Sequence, residues 1–374
     1  MKNKTSFRKI ILGSLWLTVA ALPGIVSICV LHIMQTHQSA AEYYAVHIFP
    51  VLSAPVKFVS SQVHISITEF CVIFLPLATL FWLVAVIYRF IHSKRKARFI
   101  YRFTFVLCLL FSFVVLSFTL MHGINYSRKP LEESFSIPSE TRSSEDLEEV
   151  TQWLVSMIRQ TRSELPEDEN GCMMLQTDLS ATFLDANAAM NQAALLYPVL
   201  SGSDVTIKPV ALSHYWSYTG ITGMYTPFFG EANVNIDVPD FELPLTICHE
   251  LSHTRGIARE QDANLAGFIA CISSDRTDFQ YCGYQFAFLY CASDLAAVDS
   301  EAYQEICAGL PEGIYRDWQQ SSDYWAQFEG PAEEISSQAN DAYLKANNQT
   351  EGVASYALVT NLIVEYYFTY VKGA

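Results

Sequence analysis

The sequence contains no CxxC pair and no glycine-rich phosphate loop, so neither a structural zinc ribbon nor a nucleotide fingerprint is legible in it. Basic charge is scarce in its second part. Residues 123–374 hold 12 Lys and Arg against 36 Asp and Glu, a net of −24, whereas the first 122 residues hold 11 against 2, a net of +9. So acidic a region repels nucleic-acid phosphates and gains nothing from anionic lipid. It reads as a solubilising surface, with basic substrates as the alternative use of the charge. An intramembrane cluster of ionisable residues is also missing, which leaves a transporter no pathway.

What is abundant is apolar sequence. The chain is 51% hydrophobic with a mean hydropathy of +0.19, too apolar for an ordinary soluble protein of 374 residues. The excess lies in three runs, Ile10 to Ile33, Phe70 to Phe90 and Phe103 to Met121. Each is long enough to cross a bilayer and none carries a helical polar stripe. The first run begins among Lys2, Lys4, Arg8 and Lys9, as a signal peptide would, but it continues past any early cleavage point and is read as an uncleaved helix. The turn between the second and third runs holds Arg89, Lys94, Arg95, Lys96, Arg98 and Arg102, against a single Lys57 in the loop between the first two. Positive charge on the inner side places the N-terminus in the cytoplasm and everything after about residue 123 outside.

The expected organisation is a membrane domain over 1–122, a polar tether over 123–143 and an outer domain over 144–374. The fold class is α+β, mainly helical with a small sheet. Tyr43, Tyr44, Phe49, Pro50, Pro55 and Phe58 mark the first outer loop as an interfacial segment that docks under the outer domain. The irregularly spaced His32, His37, His47 and His64 read as interfacial histidines. Helices are expected over Leu147 to Leu165 and Asp178 to Leu200, then strands over Val205 to Leu212 and Glu231 to Asp237. After them come helices over Arg259 to Ser274, Tyr281 to Val298, Ser300 to Ala308, Glu312 to Gln327, Ala332 to Ala346 and Val353 to Val371. The last is apolar enough to be mistaken for a fourth span, but Tyr356, Glu365 and Thr360-Asn361 fit burial against protein. Six cysteines lie outside the apolar runs, an even number that permits disulfides without identifying a pairing.

The chemistry centres on His249-Glu250-Leu251-Ser252-His253. Residues four apart share a helix face, so His249 and His253 can offer two imidazole nitrogens to one metal with Glu250 beside them. Leu245, Ile247, Cys248 and Leu251 suit the buried face of that helix, Pro244 its first turn, and Gly256 its end. A straight helix would carry Glu260 about 10 Å past His253, too far to share the ion. Glycine can take positive φ and fold the chain back, so a second helix starting near Arg259 can present Glu260 to it. Asp262 is the rival third ligand, about 200° away around that helix. Asn264, one turn past Glu260, can hydrogen-bond a ligating histidine. Cys248 points about 100° from His249 and reads as core.

The HExxH, the glycine three residues after its second histidine and the following Glu-x-x-Ala-Asn resemble a membrane-anchored bacterial gluzincin. They are most similar to the domain-of-unknown-function family 3810. The resemblance extends to Tyr225-Thr226-Pro227-Phe228-Phe229-Gly230-Glu231-Ala232-Asn233-Val234-Asn235, to Asp341 through Asn347 and to Gly352 through Tyr356. It implies Glu260 as third ligand, with Asn264 where gluzincins usually carry aspartate, and a multi-pass protein of a bacterial cytoplasmic membrane. That family brings no substrate with it.

The expected cofactor is therefore Zn2+ on His249, His253 and Glu260, with Glu250 as general base in the hydrolysis of a peptide or protein outside the membrane. His214, Tyr343 and Tyr356 are candidates to stabilise an oxyanion. The Gly230 to Asp237 segment, with Glu231, Asn233 and Asn235, is the candidate edge strand for an extended substrate, against a plain core strand. The competing reading is a non-catalytic, zinc-stabilised membrane sensor or binding domain, in which Asp262 or Cys248 would close the metal shell.

Overall fold

The computed structural model describes residues 2–137 and 142–373, with side chains from Ser14 onward. The basic residues Lys2, Lys4, Arg8 and Lys9 and the tether residues 138–141 lie outside the described side chains. The chain forms two units, one of residues 1–52 and 67–128, the other of 53–66 and 129–374.

The first unit is built on helices Lys2–Thr36, Ile67–His92 and Lys96–Met121. All three are long and apolar enough to cross a membrane, with mean hydropathies of 2.2, 2.7 and 2.5 over their candidate spans. The first and third approach closely at Gly24, where an added Cβ would stand 3.1 Å from the Ser112 Cα. Just past the first span, Tyr44 donates its hydroxyl to the Leu120 carbonyl at 2.6 Å, and Arg128 grips Glu42 through two bonds of 2.8 and 3.0 Å.

The second unit is mainly helical around a three-stranded sheet. Strands β1 (Lys208–Pro209), β2 (Gly223–Thr226) and β3 (Glu231–Val234) lie in the order β1-β3-β2, with β1 parallel and β2 antiparallel to β3. Both expected strands are present but shorter. Of the two readings of the Gly230 to Asp237 segment, edge strand or plain core strand, the second holds: β3 is the central strand, buried at every position, and the second edge is β2, which the sequence reading missed. Its four residues, Gly-Met-Tyr-Thr, open on a glycine and show no alternation to read.

Helix Ser144–Arg162 starts on a capping box, with Ser143 Oγ accepting from the Asp146 N–H at 3.2 Å and Asp146 accepting from the Ser143 N–H at 3.1 Å. Helix Leu179–Leu196 is capped by Asp178. The segment read as one helix over Val353 to Val371 is a 3-10 turn, a helix Val359–Tyr366 and a π turn. Its Leu362, Ile363 and Val364 are in the core and its buried Glu365 is clamped by Arg142 at 2.7 and 2.7 Å. No cysteine among the described residues is in a disulfide; Cys248, Cys271, Cys282 and Cys291 are buried thiols.

Two boundaries are corrected. Within the expected tether, residues 123–127 form a 3-10 turn and Leu131–Ser134 a short helix, and Leu131, Phe135 and Ile137 are buried in the core of the second unit. Three apolar anchors in an otherwise polar stretch suffice to hold it down. The second unit also does not begin after the third long helix, because residues 53–66, between the first two, belong to it. This loop is helical over Phe49–Ser61. Its carbonyls at Ser60 and Val63 accept from the buried Lys208 ammonium, Ser61 bonds the backbone and hydroxyl of Thr206, and Ser66 donates to Asn233 at 2.6 Å. Lys57, the one cation of that loop, donates to the Thr254 carbonyl at 3.1 Å.

Candidate metal centre

The histidine helix runs Leu243–Thr254, with Pro244 in its first turn, where a missing N–H costs nothing. Ile247, Cys248 and Leu251 face the core with at most 1% exposure. The helix stops at Gly256, whose φ of +84° reverses the chain. There the Gly256 N–H bonds the His253 carbonyl at 3.0 Å and the Ile257 N–H the Ser252 carbonyl at 3.2 Å. The second helix, Glu260–Ile272, then starts from Arg259 and packs back on the first. Gly267 permits the approach: a Cβ there would lie 3.3 Å from the His249 amide nitrogen.

This turn brings His249, His253 and Glu260 together. His249 Nε2 and His253 Nε2 are 3.1 Å apart, and Glu260 Oε2 is 3.2 Å from the first and 3.6 Å from the second. A tetrahedral shell with bonds of about 2.0–2.1 Å separates its ligand atoms by about 3.3 Å. The triangle has that size. Its donor chemistry fits as well. His253 Nδ1 lies 2.6 Å from the Ile257 carbonyl, which can only accept, so the neutral ring carries its proton there and turns the Nε2 lone pair inward. His249 Nδ1 is 2.8 Å from Asn264 Oδ1, while the Asn264 amide nitrogen donates to the Tyr356 carbonyl at 3.3 Å. The Glu260 N–H is held by Gln349 Oε1 at 3.0 Å. Residues 249, 253 and 260 are the one group of three His, Cys, Asp or Glu among the described residues arranged to hold a metal ion.

The electrostatics follow from packing two imidazoles and two carboxylates into little space. Burial alone would raise the Glu260 carboxyl, but His253 and His249 hold it well below the usual carboxylate range. Burial would likewise lower the His253 imidazole, yet the Glu260 and Glu250 carboxylates lift it to about 9. The Glu250 carboxyl is pushed up, chiefly by burial. It accepts from the Tyr225 N–H of β2 and lies against Gly223, where a Cβ would stand 2.5 Å from Glu250 Oε1. Its other oxygen, Oε2, is buried without a hydrogen-bond partner.

A cavity of about 380 Å³ opens beside these groups, lined by His249, Glu250, Asn264 and Tyr356 and by Thr222, Gly223, Glu242, Leu245, Phe286 and Tyr290 among others. Tyr356 stacks on His249 with ring centroids 6.4 Å apart and bonds Asn340 and Glu260 through its hydroxyl, whose pKa burial raises. Asp262 points elsewhere, into an ion pair with Arg259 at 2.6 Å. Cys248 is in the core. Tyr343, half-exposed on helix Pro331–Ala346, lies near Tyr225 rather than on the cavity wall. His214 does not line the cavity either; it is exposed, pairs with Asp237 at 3.0 Å and packs on Phe328.

The substrate contacts expected of Glu231, Asn233 and Asn235 are corrected, because all three are buried in or beside β3. Asn233 bonds Ser66 and the Met224 and Glu231 carbonyls; Asn235 bonds Ser217 and the Ile221 carbonyl. Sequence reasoning missed Gln349, the Ile257 carbonyl and Gly223. Backbone groups leave no residue-type signal, and Gln349 sits 89 positions from the amide it holds.

A family model described as a protein of unknown function, DUF3810, matches residues 44–364. The chain belongs to the DUF3810 family. The matched region of this DUF3810 chain takes in the loop 53–66, the second and third apolar helices and the whole metal centre. Neither the curated proteins nor the solved structures contain a match.

Proposed function

We propose that this DUF3810 protein is a membrane-anchored zinc peptidase of the gluzincin kind, cutting a peptide or protein on the outer face of the membrane. One observation carries the reading: His249, His253 and Glu260 converge next to Glu250, whose buried Oε2 has no partner, and His249 and Glu250 line a cavity. His249, His253 and Glu260 would hold the ion, with Asn264 and the Ile257 carbonyl fixing the two rings. A zinc ion there supplies the Lewis acid that polarises a carbonyl and activates water. Glu250, its pKa raised by burial, takes the proton from the attacking water through its unpartnered oxygen and returns it to the departing amine. Tyr356, whose hydroxyl bonds Glu260 and whose ring lines the cavity, would turn that hydroxyl to the developing oxyanion. β2, an edge strand beside Glu250, takes the place of the Gly230 to Asp237 segment as the backbone against which a substrate would extend.

The sensor reading requires a fourth protein ligand. Asp262 is engaged by Arg259 and Cys248 is in the core, so the open coordination side favours catalysis. The test uses the full chain in lipid nanodiscs, measuring bound zinc and cleavage of a mixed peptide library by mass spectrometry. About one zinc per chain, with cleavage lost in Glu250→Gln, is expected. Zinc binding without Glu250-dependent cleavage would return the protein to the sensor reading.

A further inference from the structure

We propose that the cavity beside the metal centre is a specificity pocket for a cationic side chain, lysine or arginine, selected by Glu242. The proposal deepens the peptidase reading and rests on it. Glu242 lines the same cavity as His249 and Glu250. It stands at the N-cap of the histidine helix in αR conformation, seven residues before His249. Seven residues make about two turns, which puts the two positions on one face roughly 10 Å apart along the axis. A lysine side chain spans about 6 Å from Cα to its nitrogen, so one set next to a carbonyl at the metal would reach the Glu242 carboxylate. Leu245 and Phe286 line the cavity with them and suit the methylene stem.

Glu242 is already oriented. Ser321 donates to its Oε1 at 2.6 Å, and the Trp325 indole N–H donates at 3.2 Å to both of its oxygens. These donors are neutral, and no Lys, Arg or His among the described residues forms an ion pair with it. Burial accordingly raises its pKa. A cation entering the cavity would complete a desolvated carboxylate, whereas an aliphatic side chain of the same length would leave it uncompensated. That difference discriminates against the aliphatic ligand more than contact area does. The acidic excess of residues 123–374, 36 Asp and Glu against 12 Lys and Arg, draws cations toward the unit in the same sense.

The test compares the hydroxamates of lysine, arginine and norleucine on the zinc-loaded full chain in nanodiscs. Norleucine is lysine without its ammonium, and the hydroxamate anchors each probe on the metal. The lysine and arginine probes are expected to bind about tenfold or more tightly than norleucine. Glu242→Gln should erase that advantage while changing norleucine binding less than about threefold. Norleucine binding as well as lysine to the wild type would overturn the pocket, and this comparison stands even where the variant does not fold. A lysine advantage that survives Glu242→Gln would also overturn the assignment. The absence of zinc-dependent binding by any probe would instead sink the peptidase reading, and the pocket with it.

Discussion

Along the apolar spans of the three long helices, large hydrophobic side chains turn outward, with Phe81 75% and Phe111 63% exposed. In the second unit charged groups are sunk into the interior as pairs: Arg162 with Asp317 at 2.8 Å, Arg276 with Asp278 at 2.8 Å, Arg142 with Glu365 at 2.7 Å. The helices of the first unit satisfy their backbones locally and ask only for a solvent that suits their surface. The second unit depends on partners far away in sequence, up to 223 positions for Arg142 and 148 for Lys208. Damage to one segment should therefore stay local in the first unit and spread through the second.

The largest expected effect breaks that contrast at the loop. A soluble fragment of residues 129–374 lacks 53–66, so the Lys208 ammonium loses both its carbonyl acceptors and Asn233 loses Ser66. Leaving a buried cation without acceptors costs about 3 kcal/mol or more. The fragment is expected to aggregate or lack a cooperative melt by circular dichroism, and the same fragment with 53–66 fused to its N-terminus to melt cooperatively.

Next come the metal ligands. His249→Ala, His253→Ala or Glu260→Ala should abolish stoichiometric zinc by metal analysis, while Asp262→Ala and Glu250→Gln keep it. Glu250→Gln should still cost about 100-fold or more in hydrolysis. Asn264→Ala removes the partner of the His249 Nδ1, together with the bond to the Tyr356 carbonyl, and should weaken zinc affinity by about 10–100-fold in a chelator competition.

A smaller effect concerns pH. In the metal-free protein the His253 pKa is raised from 6.5 to about 9, so the folded state holds a proton that the unfolded chain releases earlier. That contribution is fully present below pH 6.5 and is lost as pH rises through 9. Metal-free protein should lose thermal stability over this window. Zinc-loaded protein should not, and its zinc affinity should rise as the proton stops competing.

Much of this was legible in the sequence, and the reasons differ by region. The spans follow from composition, because a bilayer imposes length and apolarity on each helix alone. That His249 and His253 share a helix face and that the chain turns back at Gly256 were legible because both are local. The choice between Glu260 and Asp262 stayed open in the sequence: two residues apart on a helix they face different ways, but which of them faces the histidines is visible only in the fold, where Asp262 pairs with Arg259. What was not legible is what depends on distant pairing. The order of the sheet makes Glu231, Asn233 and Asn235 interior residues and leaves β2 at the edge, and no property of those residues announces it. The loop 53–66 reads as an interfacial segment because its partners, Thr206, Lys208, Asn233 and Thr254, are dispersed over more than forty positions downstream.

That loop also has a meaning for biosynthesis. With the two helices that separate it from residue 129 both crossing a bilayer, the loop and the rest of its unit end on the same side. A ribosome makes the loop first and then some 140 residues before Thr206 and Lys208 exist to receive it. A chain in which either helix failed to insert would strand the loop across the lipid from its partners, so Lys208 would lack its carbonyl acceptors and the unit could not be completed. Completion of the unit thus doubles as proof of correct insertion, and a misinserted copy would be left as an unfolded, protease-sensitive chain rather than a folded unit in the wrong compartment.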